Sequence, residues 1–137
     1  DNQYRNFTLN GQLNYVAKCL NNPDIDLYGI FDDKLHIGNI LISGLISNHR
    51  CGELTYVVGN TNYWGKGVGY YAVSHLVYLS KHKYKLNKLF AGLAEENIGS
   101  RRVLEKNGFV LEGKRLSHVF YDGKFYNQLD FGLLLNN

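Results

Sequence analysis

The segment at 63–70, with the sequence YWGKGVGY, holds the residues whose types and spacing most clearly indicate chemistry. It lies between a strand-like run at 53–58 and a helix-like run at 68–81. A glycine-rich turn before a helix leaves several backbone N–H groups without intrahelical acceptors, and these groups carry the positive end of the helix dipole. Because glycine has no Cβ, an anion can approach the backbone closely. The segment therefore predicts a site for a phosphate or pyrophosphate group.

Three nucleotide-binding patterns compete for this segment. A P-loop would require glycine where the chain has Asn60, and Ser or Thr where it has Gly67. A dinucleotide fingerprint can be placed on Gly67-x-Gly69-x-x-Ala72, but about eight residues separate its first glycine from the preceding strand. The third pattern is the acyl-CoA pyrophosphate loop of the GNAT N-acyltransferases, Q/R-x-x-G-x-G/A. The sequence WGKGVG resembles it, except that Trp64 occupies the first position.

A second segment supports the third pattern. A strand-like run at 89–93 leads to Asn97, which can cap a short helix, and Gly108 can end that helix. The sequence NIGSRRVLEKNGF is similar to N-x-x-S-x-x-[VL]-[LF]-E-K-x-G-F. That pattern follows a WGKG loop in the GNAT superfamily, especially in its ribosomal-protein-alanine (Rim-type) acetyltransferase branch. The stretch at 63–109 therefore resembles a GNAT acetyltransferase.

The resemblance implies an α/β (α+β) GNAT fold, in which helices flank a mostly antiparallel, mixed sheet. Hydrophobic periodicity and turn residues predict the other elements: a helix at 9–20 capped by Thr8, strands at 27–31, 36–46, 51–58, 110–121 and 126–134, and a hairpin turn at 122–124. We expect residues 1–137 to form a single GNAT domain that lacks the family's first strand and first helix. The absence of Met predicts that Asp1 is not the native first residue. A missing strand would leave a sheet edge that a homodimer partner or another segment could cover.

The resemblance also implies acetyl-CoA as the acyl donor. Its pyrophosphate is expected on the backbone N–H groups of the glycine-rich loop, and its pantetheine arm in a gap between the strands at 51–58 and 89–93. The cofactor-binding residues that the resemblance implies are Val57, Val58, Lys66, Gly67, Val68, Gly69, Tyr70, Asn97 and Ser100.

Acetyl transfer from a thioester to an amine needs a base for the amine's proton and gains from an acid that protonates the departing thiolate. Glu53 is the predicted catalytic base, directly or through water, because related enzymes carry a carboxylate on the strand that leads into the loop. The family's usual acid is a Tyr at the position that Leu104 occupies here. Ser100, Tyr70, Tyr126 and water stay open as sources of that proton.

These residues predict an N-acetyltransferase that moves an acetyl group directly to a primary amine. An amino-sugar nucleotide or another small amine is favoured as the acceptor, with a protein N-terminal amine close behind. The late strand and turn at 115–126 offer both hydrogen bonds and aromatic faces, which suit a sugar as well as a peptide. The alternative is a degenerate CoA-binding or GNAT-fold module with a non-enzymatic role, which the loss of the usual Tyr would favour.

Composition argues against several other classes of protein. A chain of 137 residues with 45% hydrophobic and 20% charged residues is typical of one globular domain. No apolar run approaches the length of a membrane span, and a net charge of +3 is too small to indicate nucleic-acid binding. The five His and two Cys residues are dispersed, so no metal site or disulfide framework is expected, and a reducing cytoplasm is the expected location.

Overall fold

A computed structural model of the chain describes residues 22–136 and the backbone of Leu13–Asn14. Within these residues, seven strands form one sheet in the order β1-β2-β3-β4-β5-β7-β6. The strands are β1 (Leu13–Asn14), β2 (Ile25–Asp32), β3 (Leu35–Ser43), β4 (Cys51–Val58), β5 (Lys88–Ala94), β6 (Val110–Tyr121) and β7 (Lys124–Leu134). The helices are α1 (Val68–His82) and α2 (Ile98–Lys106), and a 3-10 turn at Thr61–Tyr63 precedes α1.

The sheet is mixed because one pair of neighbouring strands is parallel. β4 and β5 run in the same direction, and α1 is the crossover that connects them. All other neighbouring pairs are antiparallel. The predicted fold class, a mostly antiparallel mixed sheet flanked by helices, is confirmed.

Two predicted elements are contradicted by the structure. The strand predicted to reach Ile46 ends at Ser43, because Gly44 has a positive φ of 86° and the carboxylate of Asp24 accepts the N–H groups of Gly44 and Ile46 at 3.1 Å each. The helix predicted at 9–20 is contradicted at Leu13–Asn14, which pair with β2 as a strand. Pairing with the free edge of β2 outweighs a helical pattern there. The rest of that predicted helix lies outside the described residues.

The hydrophobic core lies between the sheet and the two helices. Helix α1 contributes buried residues at helical spacing, among them Val68, Ala72 and Leu76, and α2 contributes Leu104, which is 2% exposed. Side chains alternate between the two faces of a strand. In β4, Leu54 is therefore buried on the helix side, whereas its neighbour Glu53 is exposed on the opposite side, which we call the open face.

Candidate active site

Side-chain hydrogen bonds hold the loop between β4 and α1 in place. The indole N–H of Trp64 donates to the backbone oxygen of Val58 at 2.7 Å, and the hydroxyl of Tyr63 donates to the carboxylate of Asp32 in β2. The side chain of Asn60 caps the 3-10 turn. Trp64 therefore anchors the loop, and Asp32 and Tyr63 connect it to the sheet.

Loss of the Tyr63–Asp32 bond should weaken cofactor binding. In Tyr63→Phe, the ring remains but the loop loses one connection to β2, so we expect the KM for acetyl-CoA to rise about three- to tenfold with little change in kcat. Tyr78→Phe, on an exposed part of α1, is the matched control. Equal KM values in both variants and the wild type, measured by thiol release, would contradict this role.

The three glycines of the loop serve different purposes. Gly65 and Gly67 have φ values of 72° and 82°, in the left-handed region that side chains disfavour. Gly69 instead allows a close approach, because a Cβ there would lie 3.0 Å from the ring of Tyr56 in β4. Two glycines thus shape the turn, and the third lets α1 pack against the sheet.

Helix α1 begins with N–H groups that no side chain caps. Its N-cap is Gly67, which makes no side-chain hydrogen bond, and the oxygen of Gly67 accepts the N–H of Tyr71. The N–H groups before Tyr71 in this first turn have no intrahelical acceptor. They border an open cleft of about 460 Å³, which is lined by Gly65, Lys66, Gly67, Tyr70, Tyr71 and Lys106. Free N–H groups, the positive end of a helix and two lysines give this cleft the chemistry that favours an anion.

Sequence reasoning missed Lys106 as a member of this site. The side-chain amide of Asn107 donates to the backbone oxygen of Tyr70 at 3.2 Å, which holds the end of α2 against the first turn of α1. Lys106 is thereby placed on the cleft with Lys66. Lys106 lies in the EKNGF motif, and this position could have indicated a role in the site. The sequence does not show, however, that the end of one helix meets the start of the other. Arg101, also in α2, forms an ion pair with Glu105 at 3.5 Å.

The two parallel strands separate beside this cleft. β4 pairs with β5 only from Cys51, opposite Lys88, to Glu53, opposite Phe90. Beyond that point β4 continues to pair with β3 as far as Val58, and β5 pairs with β7 on its other side. The predicted gap between the two strands is confirmed.

Tyr56 connects the two sides of the gap on the helix side. It lies in the part of β4 that no longer pairs with β5, and its hydroxyl donates to Oγ of Ser100 in α2 at 3.2 Å. Burial raises the pKa of the Tyr56 phenol above its ordinary value. The side chain of Asn97, the N-cap of α2, accepts the N–H of Ser100 at 3.1 Å.

Glu53 lies on the open face, where the gap begins. Among the described residues its carboxylate makes no hydrogen bond or ion pair, unlike two carboxylates on the same face. Asp130 accepts hydrogen bonds from Arg115 at 2.8 Å and Gln128 at 2.9 Å, and Glu112 pairs with Lys88 at 2.7 Å. The hydrogen bonds from Gln128 and Arg115 hold the pKa of Asp130 below its ordinary value. Within the part of the chain that the structure describes, Glu53 is therefore a carboxylate at the gap that is available to another group.

An anion cleft beside separated parallel strands is the arrangement that the sequence motifs predicted. The family model for the acetyltransferase (GNAT) domain matches residues 3–110. The chain belongs to the GNAT acetyltransferase family. It is accordingly an N-acetyltransferase with acetyl-CoA as its acyl donor, which supports the enzymatic prediction over the non-enzymatic module.

Known relatives agree with this family assignment. The probable N-acetyltransferase YjcK of Bacillus subtilis (strain 168) is 32% identical over an aligned length of 127 residues, and the match covers 85% of this chain and 67% of YjcK. A crystal structure titled probable acetyltransferase has a TM-score of 0.76 at 26% identity, covering 82% of this chain and 62% of the other. Spermidine N-acetyltransferase from Vibrio cholerae, in complex with CoA and spermine, has a TM-score of 0.79 at 22% identity, covering 86% and 70%, which shows a shared fold.

The GNAT structure brings only some of the predicted cofactor residues to the cleft. Lys66, Gly67 and Tyr70 line it. The side chain of Val68 is instead buried in the core, so only its backbone can face a phosphate. Val57 is 60% exposed, whereas its neighbour Val58 packs against the core.

The position of the family's usual tyrosine is filled by a core residue. Leu104 is buried against the sheet, so it contributes packing and has no proton to give. Among the other candidate proton donors to the thiolate, Tyr70 lines the cleft, and Tyr126 lies in β7 beside Tyr121 and Lys124. Ser100 is the one that hydrogen-bonds with a residue in the gap.

No described helix is long and apolar enough to cross a lipid bilayer.

Proposed function

We propose that this acetyltransferase moves the acetyl group directly from acetyl-CoA to a primary amine at the gap between β4 and β5. The observation that carries the proposal is a pair of features on the two sides of the sheet near this gap. An anion cleft lies at the start of α1, and Glu53, whose carboxylate has no partner among the described residues, lies on the open face where the strands separate. Donor and acceptor can therefore approach one point from opposite sides of the sheet.

The proposed binding mode follows from the cleft. The pyrophosphate accepts hydrogen bonds from the backbone N–H groups of residues 66–70, and Lys66 and Lys106 neutralise its charge. The pantetheine arm enters the gap beside Val57 and Val58 and passes the start of α2, where Asn97 and Ser100 lie. This order of contacts places the thioester near Tyr56 and Ser100.

In the reaction, the amine nitrogen attacks the thioester carbonyl carbon and the carbon–sulfur bond breaks. Glu53 accepts the proton that the amine loses, directly or through water. A general base of this kind contributes roughly 100- to 10,000-fold to such reactions. No covalent acyl-enzyme is required, because the two substrates occupy the site together.

The acceptor that the charges favour is a small molecule with a single reactive amine. Among the described carboxylates of the open face, Asp130 and Glu112 already form ion pairs, and Glu53 can bind one ammonium group. A polyamine would need more than one free carboxylate. Spermidine, the amine after which similar acetyltransferases of known structure are named, is therefore the second candidate.

The hairpin of β6 and β7 favours a sugar among small amines. Its tip extends past the last pair of β5 and β7, at the end of the sheet toward which the gap opens. It exposes the aromatic rings of Phe120, Tyr121 and Phe125. Such rings can stack on a sugar or a base, so we propose an amino-sugar nucleotide as the first acceptor to test, ahead of a protein N-terminal amine.

A competition assay tests the acceptor. Thiol release from acetyl-CoA would be measured with an amino-sugar nucleotide, spermidine and a peptide that starts with Ala or Ser, alone and in pairs. We expect the amino-sugar nucleotide to have the highest kcat/KM, by about tenfold or more, because it meets both the carboxylate and the aromatic hairpin. Fast acetylation of the peptide without acetylation of the amino-sugar nucleotide would overturn this choice. If none of the three compounds is acetylated, the acceptor is not a primary amine of these classes.

Three further properties belong to the same proposal. The NIGSRRVLEKNGF motif supports placement in the Rim-type branch of the family. We propose that the chain is a single GNAT domain and that it forms a homodimer, and one similar structure is titled dodecameric. The free thiol of Cys51 is compatible with the proposed cytoplasmic location.

A further inference from the structure

The open face of the sheet continues from the gap onto the hairpin of β6 and β7. Glu53 pairs with Phe90 of β5, and Gly92, two residues further along β5, pairs with Asp130 of β7. Residues two positions apart in a strand share a face, so Asp130 lies on the same face as Glu53. Strands about 4.8 Å apart that rise about 3.3 Å per residue place the Cα atoms of Glu53 and Asp130 about 12 Å apart.

Alternate residues of β7 extend this face from Asp130 to the tip of the hairpin. They are Gln128, Tyr126 and Lys124 in that order. The ring of Tyr121 in β6 lies beside the ring of Tyr126, with centroids 6.4 Å apart, and Nζ of Lys124 lies 5.4 Å from the centroid of the Tyr126 ring. Two aromatic rings and an ammonium group therefore lie together on the open face of the hairpin.

The other two exposed rings of the hairpin lie on its opposite side. Phe120 pairs with Phe125 in the register of β6 and β7, and their ring centroids are 4.9 Å apart. Tyr121, the next residue of β6, pairs with Lys124 on the open face. The side that carries the two tyrosines is therefore the one that continues the face of Glu53.

Arg115 adds a cation between the gap and the two tyrosines. It pairs in register with Gln128, its side chain is 59% exposed, and its Nε donates to the carboxylate of Asp130 at 2.8 Å. A guanidinium carries its N–H donors in a fixed planar fork that matches a phosphate group. Because the hydrogen bond to Asp130 is made by Nε, the terminal nitrogens of Arg115 can donate to a phosphate.

We propose that a row of residues on the open face binds the nucleoside diphosphate part of an amino-sugar nucleotide acceptor. This acceptor row consists of Arg115, Gln128, Tyr126 and Tyr121. Arg115 binds the phosphates, and the two tyrosine rings stack on the base. The inference rests on the proposed function, because the amine of the same molecule must reach Glu53. The order of amine, sugar, phosphates and base in the ligand is the order of carboxylate, guanidinium and rings along the face.

Binding of uridine diphosphate (UDP) tests the acceptor row without knowledge of the sugar. Aromatic rings stack on every base, so uridine is a sufficient probe. CoA is present at saturation, so that it occupies the cleft at the start of α1 and UDP cannot bind there. Calorimetry should show that Arg115→Gln raises the Kd for UDP roughly tenfold or more, because a charge-assisted contact is lost. Tyr121→Ala should raise it roughly tenfold, because stacking on the base is weakened.

Lys114→Gln is the matched control for Arg115→Gln. Lys114 pairs in register with the buried Leu129 on the helix side of the sheet, and its Nζ pairs with Glu95 at 2.7 Å. The control removes the same charge from the opposite face, so the Kd for UDP should change by less than about twofold at moderate salt. Equal losses in Lys114→Gln and Arg115→Gln would mean that net charge governs binding, and would overturn the row.

Two further variants test the role of the tyrosine rings. Tyr78→Ala removes a ring of similar exposure from α1, 59% against 61% for Tyr121, and should leave the Kd for UDP unchanged. Tyr121→Ala should weaken binding more than Phe120→Ala, because the ring of Phe120 lies on the other side of the hairpin. A loss in Phe120→Ala as large as that in Tyr121→Ala would overturn the assignment of the base to the open face.

Truncated acceptors provide a kinetic readout. Thiol release is measured with glucosamine, glucosamine 1-phosphate and UDP-glucosamine at saturating acetyl-CoA. The kcat/KM should rise roughly tenfold when the phosphate is added and roughly tenfold again with the nucleotide. Arg115→Gln should remove the first gain and Tyr121→Ala the second. Their kcat for UDP-glucosamine should stay within about twofold of the wild type, because the row binds the acceptor and does not react with it.

The outcomes separate the acceptor row from the proposed function. If acetyl-CoA binds and a primary amine is acetylated, but UDP does not bind in the presence of CoA, the row is wrong and the proposed function stands. Equal kcat/KM values for the three glucosamine compounds would have the same meaning. If the wild-type protein binds no acetyl-CoA, the proposed function itself fails, and the row fails with it.

Discussion

Charge reversal of both lysines at the cleft should raise the Kd for acetyl-CoA by roughly 100-fold, because each charge-assisted contact to phosphate is worth about a factor of ten at an exposed site. Lys66 and Lys106 are the two cations that line the cleft beside the start of α1. In Lys66→Glu/Lys106→Glu they would repel the pyrophosphate. Calorimetry with acetyl-CoA measures the effect directly. Charge variants are preferable to Gly67→Val, which would also strain a backbone whose φ is 82°.

A third lysine of the same helix is the matched control. Lys81 lies in the last turn of α1, roughly 20 Å from the loop along the helix axis. Lys81→Glu changes the net charge by the same amount per residue, so it should alter the Kd by less than about twofold at moderate salt. Equal losses in Lys81→Glu and Lys106→Glu would mean that overall charge, and not the cleft, governs affinity.

The second large effect is expected at Glu53. Glu53→Gln keeps the size and polarity of the side chain but removes the base, so kcat/KM for the acceptor should fall roughly 100- to 10,000-fold. The affinity for acetyl-CoA should not change, because Glu53 faces the open side of the sheet and the cleft lies beside the helices. Thiol-release kinetics and calorimetry on the same preparation separate the two quantities.

Glu112→Gln is the matched control for this variant. Glu112 lies on the same face, but its carboxylate pairs with Lys88 at 2.7 Å. An exposed ion pair of this kind contributes at most about 1 kcal/mol, so the control should keep nearly full activity. Full activity of Glu53→Gln with every accepted amine would remove Glu53 as the base, whatever the acceptor is.

Local features of the sequence determined most of the elements around the site. Alternating residues predicted β4 at Cys51–Val58 and β6 at Val110–Tyr121 with the bounds that the structure has. Asn97 was predicted as the cap of α2, and its side chain accepts the N–H of Ser100. These predictions were correct because capping, turn geometry and strand alternation depend on residues only a few positions apart.

Contacts between distant segments decided what local patterns could not. A helical pattern near the N-terminus is replaced at Leu13–Asn14 by pairing with β2. The cleft includes Lys106 because Asn107 binds the backbone of Tyr70.

The same holds for the groups at the gap. Motif spacing identified Glu53 and Ser100 one at a time, but their surroundings depend on how the strands pair. Separation of β4 from β5 after Glu53 opens the gap, and the packing of α2 brings Ser100 within 3.2 Å of Tyr56. The sequence thus determined the family, the phosphate loop and the acyl donor. Only the tertiary structure decided which carboxylate has no partner in the described part of the chain and which hydroxyls meet, because both depend on residues tens of positions apart.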